Sequence, residues 1–339
     1  MNLFENSSIP QTQKSVTIEK ALEPIRDELE RVDLEFRKNL KSDVAIISAI
    51  GEYILSSGGK RFRPVLLLLS AKLCGYRGDH HIPLASLIEF IHTATLLHDD
   101  VVDRAEIRRG SASANSKWGN EASVLVGDFL FTKSFSLLVE KGNREILQVL
   151  SRATTLMAEG ELEELIRTDD ISLTEEGYLS IITRKTATLI SAASQVGAIL
   201  AEVSEKKKEA LAGFGLDVGI AFQLMDDNLD YTSREEEFGK EIGIDLQRGK
   251  ITLPLIHALK HCAHEEKAFI RKTVEEACLT KEAFSRVREI INRSEGIRYS
   301  CEKGKEYIDR AKQHLDLFGD SEVRQALFSL ADYVLERRR

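Results

Sequence analysis

Two aspartate clusters of identical spacing close two apolar stretches of this chain. Asp99, Asp100 and Asp103 stand in LLHDDVVD, and Asp226, Asp227 and Asp230 in QLMDDNLD. Apolar residues before each cluster recur at helical spacing, which predicts helix. On a helix, residues four apart share a face, so Asp99 sits over Asp103 and Asp226 over Asp230. Asp100 and Asp227 lie about 100° round the axis, at the edge of that face. Carboxylates packed this closely repel one another and are costly to bury unless cations neutralise them. Mg²⁺ suits such hard oxygen donors and completes its octahedron with phosphate oxygens and water. One DDxxD reads equally well as a solvated helix face. Two copies in apolar surroundings favour a metal–phosphate site between facing helices.

The rest of the chain is read as helical too. Ile18, Leu22, Ile25, Leu29 and Val32 recur at three- and four-residue spacings, and Val44–Leu55 repeats the period. Pro64 and Pro83 each read as opening a helix, the second running through Leu97 into the first aspartate cluster. Further helices are expected at about 119–140, 143–168, 174–201, 204–232, 252–262, 265–277, 280–292, 295–316 and 320–336. Period-two alternation between turns is almost absent. The expected class is all-α, ten or more helices around a central cavity, with 17–339 as one domain after a poorly ordered 1–16. No Pro- or Gly-rich linker divides the chain. With 5 Pro and 42% hydrophobic residues among 339, it can bury a large core.

A net charge of −8 argues against a general nucleic-acid surface. The apolar run Val65–Leu69 is too short to span a bilayer, and polar residues interrupt Leu189–Val203, so no transmembrane segment is expected. Cys74, Cys262, Cys278 and Cys301 form no CxxC pair, and no signal peptide is read. A cytoplasmic protein with reduced thiols is the expectation.

Several cations accompany the acids. Gly58-Gly59-Lys60-Arg61-Phe62-Arg63-Pro64 places three in a glycine loop before a helix, where loop amides and the helix N-terminus attract phosphate. It reads also as a solvated basic loop. Arg108-Arg109-Gly110 lies just beyond the first cluster. Lys185-Thr186 lies in an apolar helix, where a lysine snorkels or serves a site. Gln223 precedes Asp226 by a turn. Lys240 and Lys250 flank Asp245 in FGKEIGIDLQRGK, a loop rich in glycine. His92 lies two turns before Asp99 on its face and reads as a core histidine or an anion contact. Together these residues describe a cavity with two polyanion sites, one met through Mg²⁺ and the other directly by Lys and Arg.

The chain resembles the trans-type isoprenyl diphosphate synthases, most closely their long-chain branch. The resemblance runs from GGKRFRP through FIHTATLLHDDVVDRAEIRRG and LVGDFL to AFQLMDDNLDY, FGKEIGIDLQRGKITLP and LADYVLERRR. It implies the isoprenoid-synthase fold and a Mg²⁺-dependent condensation of isopentenyl diphosphate with an allylic diphosphate, repeated to a long all-trans chain. It implies that Lys60, Arg63, His92 and Arg109 bind isopentenyl diphosphate, and that Arg108, Lys185, Thr186, Gln223, Lys240 and Lys250 contact the allylic diphosphate. Asp99, Asp103 and Asp226 match main Mg²⁺ ligands, with Asp100, Asp227, Asp230 and Asp245 beside them; several ions are expected, and Mn²⁺ as a substitute. Many relatives carry Gly-Asp-Asp-Leu where this chain has Gly243-Ile244-Asp245-Leu246.

The implied chemistry suits the residues. Metal and basic groups take up the charge of the departing diphosphate, and an apolar cavity keeps water from the allylic cation. No protein base stands out, so the diphosphate is the expected proton acceptor. Ala94 and Thr95, a turn before Asp99, are expected to line the tunnel. Short-chain relatives carry a bulky aromatic there; without one, the tunnel is expected to continue to Phe131 or Phe135. A homodimer is expected through 119–140, with the face Val124, Phe131, Phe135 and Leu138, and a transient membrane contact for product release. A terpene cyclase needs only one diphosphate pocket, which Lys60, Arg63 and Arg109 argue against. A non-catalytic subunit should have degraded aspartate motifs, and a diphosphatase needs no tunnel.

Overall fold

The structure, a computed structural model, describes residues 19–56, 58, 61–232, 243–275 and 279–336. It is helical almost throughout. The helices are α1 (Arg26–Leu40), α2 (Ala45–Ser56), α3 (Phe62–Leu73), α4 (His81–Val102), α5 (Ala114–Trp118), α6 (Asn120–Lys141), α7 (Arg144–Ile166) and α8 (Glu175–Ile182). After them come α9 (Thr188–Leu200), α10 (Glu205–Thr232), α11 (Ile244–Gln247), α12 (Leu253–His261), α13 (His264–Glu275), α14 (Lys281–Arg293), α15 (Gly296–His314) and α16 (Glu322–Glu336). The segment 1–16 and residues Lys60, Lys240 and Cys278 lie outside the described residues.

Side-chain caps begin several helices. Asn143 accepts the Ile146 N–H at 2.8 Å, Thr174 the Gly177 N–H and Thr280 the Ala283 N–H, both at 3.1 Å. Each satisfies a first-turn donor that the helix itself leaves open. Pro64 and Pro83 lie in the first turns of α3 and α4 rather than at their first residues. Proline fits there because first-turn N–H groups have no intrahelical partner.

α4 and α10 carry the two aspartate clusters at their C-terminal ends. α9 packs on α3, α4 and α10, so one buried helix braces both acidic helices. α6 lies along α4, and α15 along α10. One buried apolar cluster, containing Phe36, Phe90, Leu189 and Phe214, extends from Ala21 to Val334.

The all-α expectation has one small exception. β1 (Ile107–Arg108) and β2 (Ser111–Ala112) pair antiparallel, and the two residues between them, Arg109 and Gly110, both have positive φ, 52° and 78°. That is the backbone a two-residue hairpin requires. α6 is long and apolar enough to cross a membrane, a candidate that the sequence expectation omits. Here it buries Val126, Leu130 and Leu137.

Candidate active site

The site is built round an irregularity. Between α8 and α9, Thr183–Ala187 form a π turn, and the Thr188 hydroxyl donates to the Thr183 carbonyl at 2.9 Å. Such turns widen the helix and concentrate at functional positions. This one carries Lys185 and Thr186. Two glycines let neighbouring backbones reach it. A Cβ on Gly160 of α7 would lie 2.6 Å from the Lys185 nitrogen, and one on Gly219 of α10 would lie 2.6 Å from the Ala187 Cα.

That close approach brings acids of α7 and polar residues of α10 against the π turn. Glu161 and Glu164 each lie 2.6 Å from Lys185 Nζ, and Glu164 also reaches Lys250 at 3.0 Å. Burial opposes the charge on Lys185, but Glu164 and Glu161 outweigh it and raise its pKa, so it is a cation at neutral pH. On α10, Gln223 accepts the Thr186 hydroxyl at 2.9 Å and donates to Asp227 Oδ1 at 2.7 Å. Tyr178 donates to Asp227 Oδ2 at 2.5 Å. Lys185, Thr186, Gln223, Asp227, Asp245 and Lys250 line one small cavity of about 100 Å³.

The aspartates divide by what they meet. Asp99 lines a larger cavity, and burial, then Glu161, pushes its carboxyl up to about 7. Asp103 Oδ2 accepts from Arg248 at 2.9 Å and Lys250 at 3.3 Å. Asp100 is buried, with both oxygens 2.7 Å from Arg108 Nε. Asp230 accepts the backbone N–H groups of Ile244 at 3.1 Å and Asp245 at 3.2 Å, capping α11. Burial pushes Asp227 up to about 7, against its hydrogen bonds from Tyr178 and Gln223, and neighbouring Asp226 adds to the rise. Burial, then Asp230 and Asp227, holds Asp245 well above the usual carboxylate range. Asp100, Asp227 and Asp230, expected among the metal ligands, here meet Arg108, Tyr178 with Gln223, and the first turn of α11, as Asp103 meets Arg248 and Lys250.

The donor set fits hard divalent cations. All the groups are oxygens, and their burial and mutual repulsion are what a bound cation relieves. Among the described residues no three His, Cys, Asp or Glu groups converge on one point. Mg²⁺ commonly binds through one or two carboxylates and completes its shell with phosphate oxygens and water, which these acids could support.

A cluster of basic residues lies beside the first aspartate cluster. Arg63 is half-buried, and its buried Nε has no hydrogen-bond partner. Burial lowers its pKa to about 10; Glu89 opposes the fall and Arg109 adds to it. Burial, then Arg63, Arg109, Arg108 and Arg61, depresses His92 well below 6.5 and keeps the imidazole neutral. Like charges gathered this way fit an incoming polyanion. Arg109 holds a left-handed backbone in the hairpin, a conformation that costs a non-glycine residue about 1–2 kcal/mol. Arg61 serves elsewhere, pairing with Asp33 at 3.1 Å and Glu89 at 3.2 Å.

The larger cavity, about 430 Å³, runs from Asp99 and Lys185 between α4, α6 and α7. Ile91, Thr95, Phe131 and Met157 form its walls. Phe131 meets Phe135 edge-on, centroids 5.2 Å apart. Ala94, expected beside Thr95 on the wall, is instead fully buried and does not line the cavity. The two residues point about 100° apart. Phe135 stands behind Phe131 and is partly exposed. Lys185 borders both cavities.

Sequence reasoning missed Tyr178, Glu161, Glu164 and Arg248. Glu161 and Glu164 sit in an acidic run, EGELEEL, that reads as a solvated face. Tyr178 lies two helical turns before Lys185 in a mostly apolar helix, a faint signal.

Comparison with known proteins identifies the family. The polyprenyl synthetase family model matches residues 44–291. The octaprenyl diphosphate synthase of Escherichia coli (strain K12) is 41% identical over 324 residues, 96% of this chain and 100% of that protein. That of Haemophilus influenzae is 40% identical over 94% of this chain and 96% of its own. The crystal structure of polyprenyl synthase from Caulobacter crescentus CB15, complexed with calcium and isoprenyl diphosphate, superimposes with a TM-score of 0.92 at 42% identity, covering 95% of this chain and 98% of that one. A decaprenyl diphosphate synthase from Rhodobacter capsulatus gives 0.90 at 37%, covering 95% and 99%. With that family model over most of its length and full-length relatives at about 40% identity, the chain belongs to the polyprenyl synthetase family of prenyltransferases.

Proposed function

We propose that this enzyme joins isopentenyl diphosphate to an allylic diphosphate at the junction marked by Lys185, and repeats the step to an octaprenyl-class all-trans product. One observation carries the reading. A small cavity lined by acids and lysines and a larger, mainly apolar one meet at a single lysine, with a cluster of arginines nearby. Asp99, Asp103 and Asp226 are the main groups that would hold Mg²⁺, with Asp100, Asp227, Asp230 and Asp245 beside them. When bound, the metal neutralises diphosphate charge as it builds. The Caulobacter relative's complex with calcium and isoprenyl diphosphate supports a divalent ion in such a site.

The chain's own residues do the rest. Lys185, Thr186, Gln223 and Lys250 orient the allylic diphosphate, as we propose also for Lys240. Arg63, His92 and Arg109, with Lys60, hold isopentenyl diphosphate, and Arg108, held by Asp100, meets the allylic diphosphate. The allylic C–O bond breaks and its electron pair leaves with diphosphate. The isopentenyl double bond attacks the resulting cation, forming the new C–C bond. The departing diphosphate takes the proton that restores a double bond. Ile91, Thr95, Phe131 and Met157 shield the growing chain from water.

We place the protein in the cytoplasm as one helical domain over 17–339, acting as a homodimer. The dimer face is revised from the sequence expectation, because Leu138 is in the core and Phe131 faces the cavity. Val124, Leu125, Phe135 and Val139 are the exposed apolar residues of α6. Metal removal tests the central reading. Activity is expected to vanish in EDTA and return with Mg²⁺ or Mn²⁺; full activity in EDTA would refute it.

A further inference from the structure

Arg248 ends α11, the short helix that links the two acidic clusters. Asp230 of the second cluster caps its N-terminus. At its other end Arg248 donates to Asp103 of the first cluster at 2.9 Å, and Lys250 approaches the same oxygen at 3.3 Å. Asp103 is only 16% exposed in its side chain, so this pairing is partly shielded from water. The two cations differ. Lys250 has a second carboxylate, Glu164, at 3.0 Å. Among the described residues, Arg248 has its ion pair with Asp103 alone.

This arrangement sets a competition. A metal ion reaching Asp103 meets a carboxylate whose Oδ2 already accepts from two cations, and its charge repels both. Arg248 loses its partner when displaced, and a guanidinium keeps its charge throughout the physiological range. Its forked donors match phosphate oxygens. A metal–diphosphate arriving at Asp103 therefore brings both the ion that displaces Arg248 and the anion that can receive it.

We propose that Arg248 is a diphosphate-binding residue that, before ligand arrives, occupies Asp103 in place of metal. The inference rests on the metal–diphosphate reading of the site. It makes metal and diphosphate binding mutually reinforcing, since diphosphate draws away the cation that blocks Asp103. Glu164 keeps Lys250 in place while Arg248 exchanges partners.

The test measures binding rather than turnover. Mn²⁺ binding to wild type, Arg248→Gln and Arg248→Lys is monitored by electron paramagnetic resonance, with and without inorganic diphosphate. Without diphosphate, Arg248→Gln is expected to bind Mn²⁺ roughly two- to fivefold tighter, the scale of losing one partly exposed ion pair. At saturating Mn²⁺ it is expected to bind diphosphate roughly tenfold more weakly, the scale of one charge-assisted contact. Arg248→Lys keeps the charge and should hold wild-type Mn²⁺ affinity while binding diphosphate several-fold more weakly, which secures the test if the glutamine variant does not fold. Unchanged or weaker Mn²⁺ binding by folded Arg248→Gln, or wild-type diphosphate affinity in either variant, would overturn the proposal. A parallel condensation assay separates the two readings. If wild type condenses isopentenyl and farnesyl diphosphates but the variants bind as wild type does, this inference fails and the enzyme reading stands. If wild type binds Mn²⁺ and diphosphate as described but condenses nothing, the enzyme reading fails and this one stands.

Discussion

Tyr178 and Asp227, 49 residues apart, share a buried hydrogen bond of 2.5 Å. With Gln223 on the other oxygen, both arms of the carboxylate are held, and Asp226 is left as the neighbouring acid of the cluster. Tyr178→Phe removes one donor and leaves a buried oxygen short of a partner, a loss of about 1–3 kcal/mol. Urea denaturation should show that decrease. The kcat should fall roughly tenfold, as for loss of a contact that positions charge in the transition state, with KM for isopentenyl diphosphate unchanged. A variant of wild-type kcat would show that Asp227 needs no such anchor.

The two diphosphate pockets should separate kinetically. Arg63 lies among Arg109 and His92, away from the small acidic cavity, whereas Lys185 lines that cavity. Arg63→Ala should mainly raise KM for isopentenyl diphosphate. Lys185→Ala should mainly impair use of the allylic substrate, and it removes the cation that Glu161 and Glu164 share, leaving Glu164 with Lys250. Equal effects of both changes on both substrates would contradict the assignment.

Much of the site is legible in sequence because it is local. The DDxxD spacing places carboxylates on a helix face whatever the fold, and helix periodicity locates the long helices to within a few residues. The contacts that organise the site are not local. Glu164 meets Lys185 because Gly160 lets α7 approach the π turn, and Arg248 meets Asp103 across 145 residues. The π turn leaves no periodic mark, since its residues differ little from those of an ordinary helix. Ala94 and Thr95 do not act as a pair because the turn of the helix, about 100° per residue, decides which of them faces the cavity.

That rotation yields a test of product length. Thr95→Phe puts a ring into the cavity below Asp99 and should shorten the product towards farnesyl or geranylgeranyl diphosphate, with early condensations intact. Ala94→Phe forces the same ring into packed core, and should instead destabilise the protein by about 1–3 kcal/mol or more. Product sizing and thermal melts on the pair decide it. A long product from Thr95→Phe, or a stable short-chain Ala94→Phe, would contradict the geometry.

His92 supplies a pH dependence of stability. Burial and the nearby arginines depress its folded pKa well below the ordinary 6.5. Below pH 6.5, and until its own folded pKa is reached, the unfolded chain binds a proton that the folded chain does not, so stability falls as pH falls. His92→Gln should lose that part of the slope. Between about pH 7 and 5 the melting temperature of wild type should therefore fall further than that of the variant. Parallel curves would show that His92 is not held neutral.

The central claim is repeated condensation at the junction of the two cavities, and product analysis tests it most directly. The protein is incubated with Mg²⁺, farnesyl diphosphate and radiolabelled isopentenyl diphosphate, and the dephosphorylated products are sized by chromatography. The account predicts a ladder of all-trans chains that accumulates at octaprenyl-class length, and no product when EDTA replaces Mg²⁺. Accumulation at geranylgeranyl length, a cyclised hydrocarbon, or release of diphosphate without chain growth would contradict it.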